Sequence, residues 1–342
     1  MLTEHHIEEI RAHLEKAENP LFFFDDDHDG LVSYLLLKKK YSKGRGVCVK
    51  ASKLAEDIYV RKVNELNPDR VFILDKPVLN QELLDQIHAP IVWIDHHEPL
   101  QRNNVYYYNP MCHEPKDNRP TSYWCYRVAQ ENLWIALVGI IGDWYVPEDL
   151  MPQFEYKDLL NGKTTPPSII FDSEYGKLVK IFTFLLKGKT SDVRKYISIL
   201  ETIENPLELL RQTTPKAKFL YKKFEAINKE YEKLLQKALA TKYDNDLLLF
   251  VYHSSKTSFT GTLSNELLHR APAKLIIVAR KTADDMRISI RSTTVKVLPL
   301  LKKSLEHVEG YGGGHEMACG ASIKLSDFEK FIDFLKTELR KH

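Results

Sequence analysis

Three apolar runs each end in an aspartate: Leu21-Phe22-Phe23-Phe24 before Asp25, Val71-Phe72-Ile73-Leu74 before Asp75, and Ile91-Val92-Trp93-Ile94 before Asp95-His96-His97. Runs this short and this uniformly apolar suit strands buried on both faces. Such strands belong to a mostly parallel sheet with helices on both sides, and open α/β sheets bind ligands beyond the C-terminal ends of their strands. A lone strand-end aspartate is usually a cap or a turn residue. Three of them deliver carboxylates and imidazoles to one edge of one sheet.

The first run continues as Asp25-Asp26-Asp27-His28-Asp29-Gly30. Carboxylates packed this densely repel one another unless cations or protons neutralise them, so the segment reads as a divalent metal site, with a solvated acidic loop as the bland alternative. On an extended chain Asp25, Asp27 and Asp29 share one side, and Asp26 and His28 the other. Gly30 is expected to permit a sharp turn before Leu31 to Leu37 start a helix.

Together with Asp143 in Gly142-Asp143-Trp144 and with Gly312-Gly313-Gly314-His315, these elements occur in an order that resembles the DHH phosphoesterases, in the RecJ-like and NrnA-like branch with a DHH-associated second domain. The resemblance runs from about residue 20 to the C-terminus. It implies a two-metal phosphoesterase: Asp75 bridges two ions, Asp27 and, as a further candidate, Asp25 hold one, and Asp29, His96 and Asp143 hold the other. His97 contacts phosphate, and Asp95 orients an imidazole. Mixed carboxylate and imidazole donors suit Mn²⁺ and tolerate Mg²⁺. Arg291, Ser292, Gly312, Gly313, Gly314 and His315 form the implied substrate-binding set, although the glycines by themselves are equally a tight turn needing positive φ. The chain departs from the family pattern at Lys76-Pro77, where a glycine often follows the aspartate, and in an unusually helical insertion. The first departure is expected to alter substrate access without removing a ligand.

The domains expected are a DHH metal-binding domain over 1–150, a helical insertion and connector over 151–243, and a smaller α/β substrate-binding domain over 244–342. Thr3 caps a first helix carrying Ile7, Ile10 and Leu14, and Gln81 to Ile87 form a helix before the Asp-His-His strand. A further helix begins near Ser122, with Thr121 or Ser122 as its cap or its free N–H groups holding an anion. Leu133 to Ile141 form a buried helix that ends at Asp143. In the insertion, Leu178, Ile181, Phe182 and Leu185 make one apolar face and Phe219, Phe224, Ile227 and Tyr231 another. Lys216, Lys218, Lys222 and Lys223 are solvated or touch nucleic acid. Leu247 to Val251, Leu275 to Val278 and Met286 to Ser292 are strands, and Lys296 to His307 a helix.

With 342 residues, 43% of them hydrophobic, and a formal net charge of +2, the chain has room for more than one core and no global pull toward polyanions. Cys48, Cys112, Cys125 and Cys319 lack metal-ribbon spacing. No apolar run is long enough to span a membrane, and Met1 to Ile7 lack a signal-peptide core, so a cytoplasmic protein without membrane contact is expected. The leading function is a Mn²⁺-dependent exonuclease or phosphodiesterase acting on single-stranded DNA or RNA or short oligonucleotides. A small-nucleotide phosphodiesterase, acting on cyclic dinucleotides or 3'-phosphoadenosine 5'-phosphate, is the enzymatic alternative. A non-catalytic replication scaffold is the third reading. A homodimer and replication or repair proteins are candidate partnerships.

Overall fold

The computed structural model describes residues 1–50, 56–242, 247–253, 257–271 and 275–339. Two compact units divide it, Met1–Phe224 and Glu225–His342.

The first unit opens with α1 (Glu4–Lys16), capped by Thr3 in a box completed by His6, with Ile7, Ile10 and Leu14 buried. A parallel sheet follows: β1 (Pro20–Asp25), β2 (Arg45–Val49), β3 (Arg70–Leu74), β4 (Ile91–Ile94) and β5 (Val105–Tyr108), in the order β2-β1-β3-β4-β5. The register sets Phe24 beside Leu74 and Leu74 beside Ile94, so the three apolar runs end level with one another. Their side chains are completely buried on both faces, as their unbroken hydrophobicity requires. The helices between are α2 (His28–Tyr41), α3 (Glu56–Leu66) and α4 (Gln81–Leu84), the last a single turn rather than a helix reaching Ile87. Neither α3 nor β5 stands out in the sequence, because β5 carries three tyrosines on a half-exposed edge.

Beyond the sheet lie α5 (Thr121–Ala129), the apolar α6 (Leu133–Gly142), and the inserted helices α7 (Pro166–Asp172), α8 (Glu174–Leu185), α9 (Thr190–Leu200) and α10 (Pro206–Leu210). Leu178, Ile181, Phe182 and Leu185 are buried as expected. Tyr175 donates to the Trp134 carbonyl at 2.7 Å, Trp134 to the Glu204 carbonyl at 3.1 Å, and Lys39 to the Glu201 and Ile203 carbonyls at 2.9 Å. The insertion is therefore tied to α2 and α6 by buried or half-buried polar contacts as well as by packing.

Helix α11 (Pro215–Leu239) contains the boundary between the units. Its buried line is Ala217, Leu220, Phe224, Tyr231, Leu235 and Ala238, whereas Phe219 and Ile227 are only partly covered. The heptad-like spacing of that line replaces the face expected from the aromatics. Phe219 instead lies under the ammonium groups of Lys195 and Lys223.

The second unit holds β6 (Leu247–His253), α12 (Thr260–Arg270), β7 (Leu275–Lys281), β8 (Asp285–Ser292), α13 (Val297–Leu305), β9 (Gly310–His315), β10 (Ala318–Lys324) and α14 (Phe328–Leu339). Its mixed sheet has the order β6-β7-β8-β10-β9. Ile277, Ile288, Ile290, Leu301, Phe331 and Leu335 are among its core residues. The glycine segment is thus an exposed edge strand and not a loop, and among Gly310, Gly312, Gly313 and Gly314 only Gly314 has positive φ, at 139°. Glycine serves close approach here: a Cβ on Gly312 would lie 2.7 Å from the Gly320 carbonyl oxygen on β10.

Candidate metal centre

Strand β1 ends where Asp27 takes over as the N-cap of α2, its carboxylate accepting from the Gly30 N–H at 2.9 Å. Gly30 lies inside the helix, not at a turn. A Cβ there would stand 2.6 Å from the Asp25 nitrogen, so glycine is what lets the helix start directly over the strand end. The alternation expected of an extended Asp25-Asp27-Asp29 is replaced by strand, cap and first helical turn.

That turn aims Asp29 at the start of α5. The Thr121 and Ser122 N–H groups donate to its two carboxylate oxygens at 2.8 and 2.9 Å, and the Ser122 hydroxyl donates as well. Pro120 is the N-cap of α5, so Thr121 and Ser122 are its first residues and not its caps. The anion held by this helix start is the protein's own Asp29.

Asp75 follows β3 in the left-handed region, φ 58°, with its N–H bonded to the Ile94 carbonyl at 2.9 Å. A non-glycine residue in this conformation costs about 1–3 kcal/mol and is held by its surroundings. The Thr121 hydroxyl donates to Asp75 at 3.3 Å. His96 sits at the middle of the group: its Nε2 lies 3.5 Å from Asp75, 3.6 Å from Asp143 and 4.0 Å from Asp29. Asp143 reaches this point from the C-cap of α6.

Asp95 is completely buried and turns away from that cluster. It accepts from His97 Nδ1 at 2.8 Å and from the His97 N–H at 3.2 Å. Asn109 donates to the His97 carbonyl at 2.8 Å and reaches Asp95 at 3.4 Å. These bonds fix the ring of His97, whose Nδ1 lies 3.9 Å from Asp75. Asn109 escapes notice in the sequence, although it obeys the rule that finds the others: it is the polar residue at the end of a strand, here β5.

Among the described residues, two sets of donors in the first unit could hold a cation, Asp75-His96-His97 and Asp29-His96-Asp143. His97, expected to contact phosphate rather than metal, thus stands with the candidate metal donors. Neither set includes Asp27, the cap of α2, or Asp25. The Asp25 carboxylate is paired at 2.6 Å with the ammonium of Lys76, a buried residue.

Burial, together with Asp29, Asp27, Asp25 and Asp143, pushes the Asp75 carboxyl well above the usual carboxylate range, and burial with Asp29 and Asp27 does the same to Asp143. Burial and Asp27 push Asp25 up to about 6 despite Lys76. Burial opposes ionisation of Asp27 too, yet His28, the Gly30 N–H and a hydrogen bond with Asp75 hold it low. For His97, burial works against the charged ring, but Asp95 outweighs it and raises the pKa. Two unit charges 4 Å apart repel by about 4 kcal/mol at an effective dielectric constant of about 20, more than any one hydrogen bond here returns. A divalent cation removes that repulsion, and the oxygen and imidazole donors suit Mn²⁺ or Mg²⁺.

In the second unit, Arg291 donates to Asn265 at 2.7 Å and to the Ile290 and Cys319 carbonyls at 2.9 and 3.0 Å. Burial pushes its pKa down to about 10. The Ser292 hydroxyl accepts from the Thr294 and Val295 N–H groups. Gly312, Gly314 and His315 lie exposed along β9, and Gly313 is half-buried there.

Residues 218–341 match the model of the DHHA1 domain. No curated protein matches the sequence. Among solved structures, RecJ of Thermus thermophilus in complex with Mn²⁺ aligns with 98% of this chain at 15% identity and a TM-score of 0.72. The fold is that of the DHH/DHHA1 family. The chain spans only 55% of the length of that RecJ, but 95% of a second exonuclease RecJ bound to manganese, at 17% identity and a TM-score of 0.58. The pGpG-specific phosphodiesterase PggH of Vibrio cholerae is similar over 95% of this chain and 99% of its own, at 16% identity and a TM-score of 0.52. These likenesses, each below 25% identity, establish the fold. Among the described residues no helix is long and apolar enough to cross a membrane.

Proposed function

We propose that the chain is a metal-dependent phosphodiesterase that hydrolyses single-stranded DNA or RNA or short oligonucleotides. The observation that carries this reading is the convergence of Asp29, Asp75 and Asp143 on His96 Nε2 within 4.0 Å, at the level strand ends of a DHH-type sheet. Asp29, Asp75, His96 and Asp143 would hold one divalent ion, and Asp75 with Asp27 a second. Such ions supply Lewis acidity toward water and toward a phosphate oxygen.

The chain's own groups divide the remaining work. Thr121 and Ser122 hold the Asp29 carboxylate in place, so that it is directed at the centre. Asp95 accepts from His97 Nδ1 and raises the pKa of the ring, so that the protonated imidazole would present its Nε2–H to a phosphate oxygen or a leaving group. Gly312, Gly313, Gly314 and His315 would bind substrate through the exposed backbone and imidazole of β9, and Arg291 and Ser292 would support that strand through β8 and β10.

The deciding experiment is a Mn²⁺ time course on single-stranded DNA and RNA labelled at either end, beside pGpG and 3'-phosphoadenosine 5'-phosphate. A ladder shrinking from one end supports the exonuclease and gives its polarity. Cleavage of pGpG alone favours the small-nucleotide enzyme, in line with the full-length similarity to PggH. No turnover of any substrate would leave the scaffold reading in its place.

A further inference from the structure

The residue after Asp75 is a lysine whose side chain turns inward. Lys76 is 7% exposed, and its ammonium lies 2.6 Å from Asp25 and 3.3 Å from the Val49 carbonyl. Its backbone has little freedom: the indole N–H of Trp93 donates to the Lys76 carbonyl at 3.1 Å, Asp75 before it is left-handed, and Pro77 after it restricts the peptide. The ammonium is therefore a fixed charge rather than a mobile surface group.

That charge stands on one side of the centre only. Asp25, Asp27 and Asp75 lie near enough to act on one another electrostatically, and the ammonium paired with Asp25 offsets charge on the flank they form. On the opposite flank, Asp29 and Asp143 have no lysine or arginine partner among the described residues, and His96 faces both.

We infer that Lys76 is a built-in cation occupying the flank of Asp25 and Asp27, so that the protein binds one divalent ion tightly, at Asp29, Asp75, His96 and Asp143, and a second, beside Asp27, only weakly. The ammonium engages Asp25, a carboxylate that would otherwise face an ion, and repels any dication brought beside it. A substrate phosphate adds the negative charge that the second ion then needs. Lys76 is thus a positioning residue that couples filling of the second metal site to substrate binding, and the inference rests on the metal-centre reading above.

Mn²⁺ titration followed by electron paramagnetic resonance tests it directly, on substrate-free wild type, Lys76→Met, Lys76→Gln and Asp75→Asn. The glutamine keeps a donor for Asp25 without the charge, so it reports even if the methionine variant misfolds. One Mn²⁺ bound tightly and a second at least tenfold more weakly are expected for wild type. Two ions of comparable affinity, with a dipole-coupled spectrum, are expected for either Lys76 variant. Two equally tight ions in wild type, or an unchanged second affinity in a folded Lys76→Gln protein, would overturn the inference while leaving the metal centre standing. Failure of wild type to bind Mn²⁺ at all, or binding by Asp75→Asn as tight as by wild type, would overturn both.

Discussion

The Ser122 N–H donates to the carboxylate of Asp29 at 2.9 Å across 93 positions of sequence. Through this bond the start of one helix fixes the acid on the first turn of another, and the hydroxyl of Ser122 adds a second contact to the same oxygen. Replacing Ser122 by Ala removes the hydroxyl but keeps both backbone donors. A loss of about 1–2 kcal/mol in denaturant unfolding is expected, with Mn²⁺ affinity lowered about tenfold. Unchanged stability and affinity would mean that the hydroxyl contributes nothing to holding Asp29.

Gly142 stands between this cluster and His28. A Cβ there would lie 2.3 Å from His28 Cδ2, and the neighbouring residue is Asp143. The Gly142→Ala protein should be destabilised by about 1–3 kcal/mol and should bind Mn²⁺ more weakly, because the His28 ring or the end of α6 must move. Calorimetry and metal titration on the same sample measure both effects.

In the proposed reaction Asp95 would act through His97, with which it makes its shortest hydrogen bond. Asp95→Asn should lower turnover about 10–100-fold while leaving tight Mn²⁺ binding within a few-fold of wild type. Because Asp95 raises the pKa of His97, the variant should also shift the His97 limb of the pH profile to lower pH. A pH–rate series on both proteins reads the shift, and coincident profiles would remove His97 from the mechanism.

Asp117 tests electrostatics away from the centre. Burial opposes its ionisation, but hydrogen bonds from Arg119, one of them at 2.8 Å, hold its pKa below the usual value. The folded pKa is the lower one, so this contribution is complete above an unfolded pKa of about 3.9 and is lost as pH falls through the folded value. Asp117→Asn should cost about 2–3 kcal/mol near neutral pH, and the difference from wild type should shrink below about pH 4. Chemical denaturation at several pH values follows it.

Much of the centre was legible because it obeys one rule. Buried parallel strands must be apolar throughout, so the first polar residue after each run marks the sheet edge where ligands bind, and Asp25, Asp75 and Asp95-His96-His97 all lie there. Partnership is what such a rule leaves out. Lys76 follows Asp75 as a charged residue in a turn, and only the left-handed backbone and the Trp93 contact reveal that it turns inward to Asp25. Asp29 reads as part of an extended acidic run until the cap at Asp27 starts a helix and carries it toward α5. The glycines of β9 disfavour a strand by propensity, and they form one because β10 supplies a full antiparallel ladder at close range. The same limit hides α12, β10 and α14, whose places are set by the sheet they cover or extend.

The most direct test of the account is hydrolysis of a simple phosphodiester, bis(p-nitrophenyl) phosphate, by wild type and by His96→Ala, each stripped of metal and then supplied with Mn²⁺. Such a substrate separates the chemistry of the centre from any preference for base, sugar or length. The prediction is no hydrolysis without metal, full recovery on adding Mn²⁺, and a rate at least about a thousandfold lower in a folded His96→Ala protein, since this imidazole stands within 4.0 Å of three of the carboxylates. Hydrolysis by the stripped wild type, or Mn²⁺-dependent hydrolysis by His96→Ala at the wild-type rate, would contradict it.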